Sequence, residues 1–208
     1  MARAPSSLNR PINSTRLILC EGLDEYELFT LLREERGLTD LNIEIASAEG
    51  RESFASKWAD IRRQSGGLKI SDVTLVFDSE DNAQATQQKM NQFVQKHQSS
   101  SLRFRLCQLP SATEAGCLET LIRQSIPSDS RGFDCATRWE TCIQDNPAIA
   151  FGLQAKRDKA WLQVWLTHRT ADTAYSRIGY AICHNPDLRQ ELDAGLAPLR
   201  QILSAALE

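Results

Sequence analysis

Along this chain, short solid apolar runs alternate with helically spaced apolar stripes, and the order of the two predicts the fold. The first run, Arg16-Leu17-Ile18-Leu19-Cys20-Glu21-Gly22, predicts a buried strand over 15–21 that stops in an acid and a glycine. A helical pattern follows, with Tyr26, Leu28, Phe29, Leu31 and Leu32 as its apolar points and Gly37 as its stop; Asp24 is the expected N-cap and Glu27 its capping-box partner. Asn42-Ile43-Glu44-Ile45-Ala46 alternates polar and apolar, which predicts a second strand with one partly wet position. Gly50 breaks it, and Phe54, Trp58 and Ile61 mark a helix over 52–64 ended by Gly66-Gly67. The run Val73 to Phe77 is the third strand, and it stops in Asp78-Ser79-Glu80-Asp81. A glutamine-rich helix over 82–98 carries a thin stripe of Ala83, Met90, Phe93 and Val94, and a fourth strand over 102–107 alternates with arginines and ends at Pro110. Taken in order this is β-α-β-α-β-α-β, the pattern of a four-stranded parallel sheet with right-handed crossovers, hence an α/β fold.

The pattern changes on either side of that block. Residues 1–14 hold two prolines and little periodicity, so they read as a flexible leader before an α/β domain over 15–110. Residues 111–208 read as a helical extension packed on the sheet domain. Its expected parts are a loop over 110–116, a short helix over 117–122, an irregular stretch over 127–150, and helices over 155–168 and 187–207.

Composition narrows the function classes. At 208 residues and 41% hydrophobic content the chain can build one good core plus a helical appendage. A net charge of −3 supplies no overall basic field, so nucleic-acid binding would need local patches and a metal. The six cysteines form no CxxC pair and no amino-terminal apolar stretch directs export, so reduced thiols in a cytoplasmic protein are expected. No run reaches the ~20 apolar residues of a membrane helix. There is no GxxxxGK[ST] loop, GxSxG element or cysteine–histidine nucleophile pattern, and His97, His168 and His184 are too isolated for a zinc set.

The chemistry concentrates where the apolar runs stop. If the first and third strands are parallel neighbours, Glu21, Asp78 and Glu80 meet at the carboxyl edge of one sheet, where open α/β sheets bind ligands. Clustered carboxylates raise one another's proton affinity, so a site that keeps them ionised near neutral pH usually contains a cation. Oxygen ligands favour Mg²⁺ or Mn²⁺. A plainer reading stands beside this one: Glu21 accepts amides of the following helix, and Asp78 to Asp81 form an N-cap and an acidic first turn.

Glu21-Gly22 after the first strand, the Asp78-x-Glu80 pair after the third, and the strand order between them resemble a Toprim domain over roughly residues 15–110. That is the metal-dependent catalytic unit of topoisomerases, primases, recombination proteins and OLD-type nucleases. Gly116-Cys117-Leu118-Glu119 and the lysine-bearing Asp158-Lys159-Ala160-Trp161-Leu162 are similar to elements of the small stand-alone bacterial relatives near the OLD nucleases. The resemblance implies Mg/Mn-dependent cleavage or nicking of nucleic acid, DNA first. Glu21 would be general acid or base and metal ligand, Asp78 and Glu80 would hold the cation, Glu119 would add a second ligand cluster, and Lys159 would steady charge on a phosphate. It also implies an alternative, a catalytically silent module that docks on a separately encoded ATPase. One departure stands out. Glu80 occupies the place of the usual aspartate, and its extra methylene moves the carboxylate by about 1.5 Å on an unchanged backbone.

Outside the resemblance, the arginines of the fourth strand, Arg103 and Arg105, form either a phosphate-facing row or the charged guard of an edge strand. Trp58, Trp139, Trp161 and Trp165 read as core rather than as a base-stacking platform.

Overall fold

Leucine- and valine-rich runs form the strands, because solid apolar runs are buried on both faces only inside a helix-covered parallel sheet. The computed structural model describes residues 12–64, 70–145, 154–169 and 177–208. Strands Arg16–Cys20 (β1), Glu44–Ser47 (β2), Asp72–Asp78 (β3) and Arg103–Leu109 (β4) form one parallel sheet in the order β2-β1-β3-β4. Cys20 stands opposite Ser47 of β2 and Val76 of β3, so β1 and β3 run side by side to the same edge. Helices Leu23–Glu35 (α1), Phe54–Gln64 (α2) and Ala83–His97 (α3) alternate with the strands. The four-stranded α/β pattern is therefore the one the apolar runs predict.

By its internal contacts the chain forms two compact units. The first comprises residues 1–77, 88–107 and 199–208, and the second residues 78–87 and 108–198. In the first unit Leu17, Leu19, Phe54, Trp58, Ile61, Leu75, Phe77 and Met90 belong to one buried cluster. Trp58 and Phe93 both meet the Phe104 ring edge-on, at 5.6 and 6.0 Å. A fully buried side chain such as Trp58 contributes about 2–3 kcal/mol by leaving water. Ile12 joins the same cluster, so the chain is anchored before the expected end of the leader at residue 14.

Two local expectations change. Helix α1 begins at Leu23, with Gly22 in extended conformation as its N-cap, so the third helical position is Glu25 rather than Glu27. The Glu25 carboxylate accepts from the Gly22 amide at 3.0 Å, and a Cβ at Gly22 would lie 2.6 Å from that oxygen. The second strand has no wet position, since all of β2 is buried, Glu44 included. The Gly66-Gly67 helix stop lies outside the described residues.

The second unit contains Leu118–Ser125 (α4), Phe133–Gln144 (α5), Gln154–Thr167 (α6), Ile178–His184 (α7) and Pro186–Glu191 (α8), and the start of Asp193–Leu207 (α9). Helix α5 occupies a stretch expected to be irregular. Its inward positions Phe133, Ala136, Glu140 and Ile143 are helically spaced, but mostly polar residues lie between them and mask the period. Residues 187–207 divide into two helices at Leu192, with the Asn185 side chain capping α8 through the Leu188 amide at 3.0 Å. Trp161 and Trp165 are fully buried, and Phe133 meets Trp161 edge-on at 5.3 Å. Trp58, Trp161 and Trp165 are thus core residues.

Candidate functional site

Strand β3 delivers Asp78, 5% exposed, to the sheet's carboxyl edge. Immediately after it the chain turns back through Glu80, whose φ of 52° is left-handed and strained for a residue with a side chain. Two backbone bonds hold that turn: the Glu80 amide donates to the Gly116 carbonyl and the Gly116 amide to the Glu80 carbonyl, both at 2.7 Å. Gly116 has φ of 140°, and a Cβ there would lie 2.6 Å from Thr120 Oγ1, so this close approach requires glycine. The bridge joins the Asp78-x-Glu80 segment to Gly116-Cys117-Leu118-Glu119, two motifs far apart in the chain.

The junction fixes the carboxylates. Asp78 Oδ1 accepts from the Leu118 amide at 3.0 Å, at the positive amino end of α4. Asp78 does cap a helix, but it is α4 and not the helix that follows it in sequence. The Cys117 amide donates to Thr120 Oγ1 at 3.1 Å, closing the first turn. Asp78, Cys117 and Glu119 each bring a ligand atom within 4.8 Å of the others.

Lys159 of α6 lies against the same carboxylates, its Nζ 3.9 Å from Asp78 Oδ2 and 3.9 Å from Glu119 Oε2. Burial opposes the Lys159 charge, but Glu119, Asp78, Cys117 and Glu80 outweigh it and hold the ammonium above its ordinary value. Burial pushes the Cys117 thiol well above its usual range, and Glu119 and Asp78 push it further. A hard cation such as Mg²⁺ or Mn²⁺ prefers the oxygens of Asp78 and Glu119 to the sulfur. In the same unit a groove of about 520 Å³ opens between Asp81–Gln87 and Ala112–Ala115.

Lys159 is set in place by the residue before it. Asp158, 1% exposed, accepts from Thr120 Oγ1 at 2.6 Å, from Arg123 Nη1 at 2.7 Å and from Gln154 Nε2 at 2.9 Å. Arg123 also makes a two-pronged pair with Glu140 at 3.0 and 2.5 Å, and its guanidinium lies 4.7 Å from the Trp161 ring centre. This network ties α6 to α4 and α5. The sequence resemblance points only to the lysine, although Asp158 carries its own signal: it sits on the apolar stripe of Ala155, Trp161, Leu162 and Trp165, where an acid must be paired.

Glu21 directly follows β1, and its amide donates to the Val76 carbonyl of β3 at 2.8 Å. Glu21 and Asp78 therefore end neighbouring parallel strands. The Glu21 carboxylate is engaged by Arg51, whose Nε and Nη2 lie 3.3 Å from Oε2. Only a basic residue following Gly50 hinted at this partner. Arg103 opens edge strand β4, is exposed, and pairs with Asp72 at 2.5 Å; Arg105 is half-buried. The Ser71 hydroxyl, aided by Arg103, holds the Asp72 carboxyl below its usual range. Arg103 and Arg105 thus belong to the opening half of β4, and Arg103 is charge-balanced at the edge it protects.

These observations define an α/β protein with a parallel sheet whose third strand ends in a lysine-bound carboxylate cluster. The chain belongs to the family described as Protein of unknown function (DUF3226), whose model matches residues 15–182. No curated protein and no solved structure matches it. Among the described residues, no helix is long and apolar enough to cross a membrane.

Proposed function

We propose that this protein carries out Mg²⁺- or Mn²⁺-dependent phosphodiester chemistry on nucleic acid, nicking or cleaving DNA as the Toprim nucleases it resembles do. One observation carries the reading: Asp78 and Glu119, on distant segments, direct their oxygens to one point where a positive charge already sits. The donor set fits the cation. Octahedral Mg²⁺ has bonds of about 2.0–2.1 Å, so two ligand oxygens are at most about 4.2 Å apart. Atoms within 4.8 Å of one another reach that by small side-chain rotations.

Asp78 and Glu119 would hold the ion, with Glu80 reaching it through its longer side chain from the turn fixed by Gly116. The bound cation would polarise the phosphate and lower the pKa of a water. Lys159 would balance charge on the phosphate, and Glu21 is the general base that the Toprim resemblance implies. The test is nicking of supercoiled plasmid in Mn²⁺. Glu21→Ala and Asp78→Asn, each checked for folding by circular dichroism, should abolish it; nicking retained by the doubly substituted protein discards the mechanism.

A second reading draws on the same lysine. Because Lys159 already pairs with both carboxylates and offsets one of their two charges, a catalytically silent module docking on a separately encoded ATPase also fits the cluster. Titrating Mn²⁺ against thermal stability separates the two, since a ligand of the native state raises the midpoint. No rise favours the docking module.

A further inference from the structure

We infer that Lys159 is a tethered counter-ion that a divalent cation must displace, so the site exchanges an internal ammonium for a metal. The inference deepens the metal-dependent reading and rests on its choice of site. Two nearly buried carboxylates, with side chains 7% and 16% exposed, share one ammonium at equal distances of 3.9 Å. At that separation the ammonium is held by charge and not by short hydrogen bonds. Its side chain is 46% exposed, so the four-carbon stem can swing the charge into water without opening the fold. The backbone beneath it cannot follow, because Asp158 is fixed by Thr120, Arg123 and Gln154. The carboxylates are held as well, Asp78 by the Leu118 amide and the Glu119 segment by the Glu80–Gly116 bridge.

The exchange has a defined balance. One positive charge leaves the carboxylates and two arrive, so the freed ammonium is repelled from the ion and becomes available to an anionic group brought to it, such as a phosphate. Without metal, the lysine keeps the two acids apart from their mutual repulsion. Metal affinity is thereby lowered by the strength of the internal pair, as for any competing ligand.

The experiment measures Mn²⁺ dissociation constants by titration calorimetry for the 208-residue chain and its Lys159→Gln and Lys159→Arg variants, each checked by circular dichroism without metal. Lys159→Gln should bind Mn²⁺ about tenfold more tightly, a change of the size common when one bound charge is coupled to another. It should also melt at lower temperature than wild type without metal and recover in Mn²⁺. Lys159→Arg, which keeps the charge, should bind as wild type does. Equal or weaker binding by Lys159→Gln overturns the exchange, and it leaves the nuclease proposal standing if wild type nicks DNA. Binding by Lys159→Gln alone supports the exchange in its strongest form and counts against the nuclease. No binding by any of the three overturns both.

Discussion

Replacing Asp158 by asparagine tests whether the buried network organises the second unit. The carboxylate accepts three hydrogen bonds, from Thr120, Arg123 and Gln154, and is 1% exposed. An amide of the same shape keeps one acceptor and turns two N–H groups toward Thr120 or Arg123, which are themselves donors. Removing one partner of a buried ion pair costs about 3–5 kcal/mol. Here Glu140 still holds Arg123 at 3.0 and 2.5 Å, and the arginine side chain is 23% exposed, so its charge is not abandoned. The Thr120 hydroxyl can also turn elsewhere. Asp158→Asn should therefore cost about 2–3 kcal/mol, below the full penalty. At about 2–4 °C per kcal/mol for a chain of this size, the midpoint should fall by roughly 5–10 °C. Urea denaturation followed by circular dichroism gives the free energy, and a cycle with Thr120→Val isolates the shortest bond. Coupling of about 1 kcal/mol between the two substitutions is expected for groups in direct contact. A loss below about 1 kcal/mol for Asp158→Asn, or additive effects in the cycle, would refute the claim that this carboxylate ties α6 to α4.

Gly116→Ala should destabilise by about 2 kcal/mol or more in a denaturant titration, because its φ of 140° disfavours any side chain and the new Cβ would lie 2.6 Å from Thr120 Oγ1; wild-type stability would mean the turn relaxes freely. Trp58→Ala should cost about 3–5 kcal/mol, the usual loss for a large ring deleted from a packed core, read from the same titration. Burial, with Lys96 and Arg62 behind it, pushes the His97 imidazole below its ordinary value. The unfolded chain then binds that proton more readily, so the contribution is present above the unfolded value of about 6.5 and is lost as pH falls from there through the lower folded value. Melting temperatures between pH 7.5 and 5.5 should show a fall that His97→Phe makes shallower, and parallel curves would remove His97 as its source.

Much of the sheet was legible because its apolar runs are solid and its helical stripes are bounded by glycines. Val73 to Phe77 needs no context to be read as a buried strand, and Phe54, Trp58 and Ile61 fix a helix face by spacing alone. Helix α5 was not legible, since polar residues interrupt its period. The cap of α1 was misplaced because Asp24 looks like a better cap than a glycine, and only the extended backbone at Gly22 makes Glu25 the third helical residue. At the site, Glu21 and Asp78 were legible as acids ending apolar strands. Arg51, Asp158 and the Glu80–Gly116 bridge were not, because their partners lie on other segments.

The sequence by itself determined the class of fold, since hydrophobic periodicity and strand-ending acids are local properties that each segment carries alone. Only the tertiary structure decided which charges meet. It set Lys159 between Asp78 and Glu119, and it made Asp158 the anchor of the helix that bears the lysine. The physical reason is that an ion pair's effect depends on distance and burial, and chain folding sets both between residues far apart in sequence.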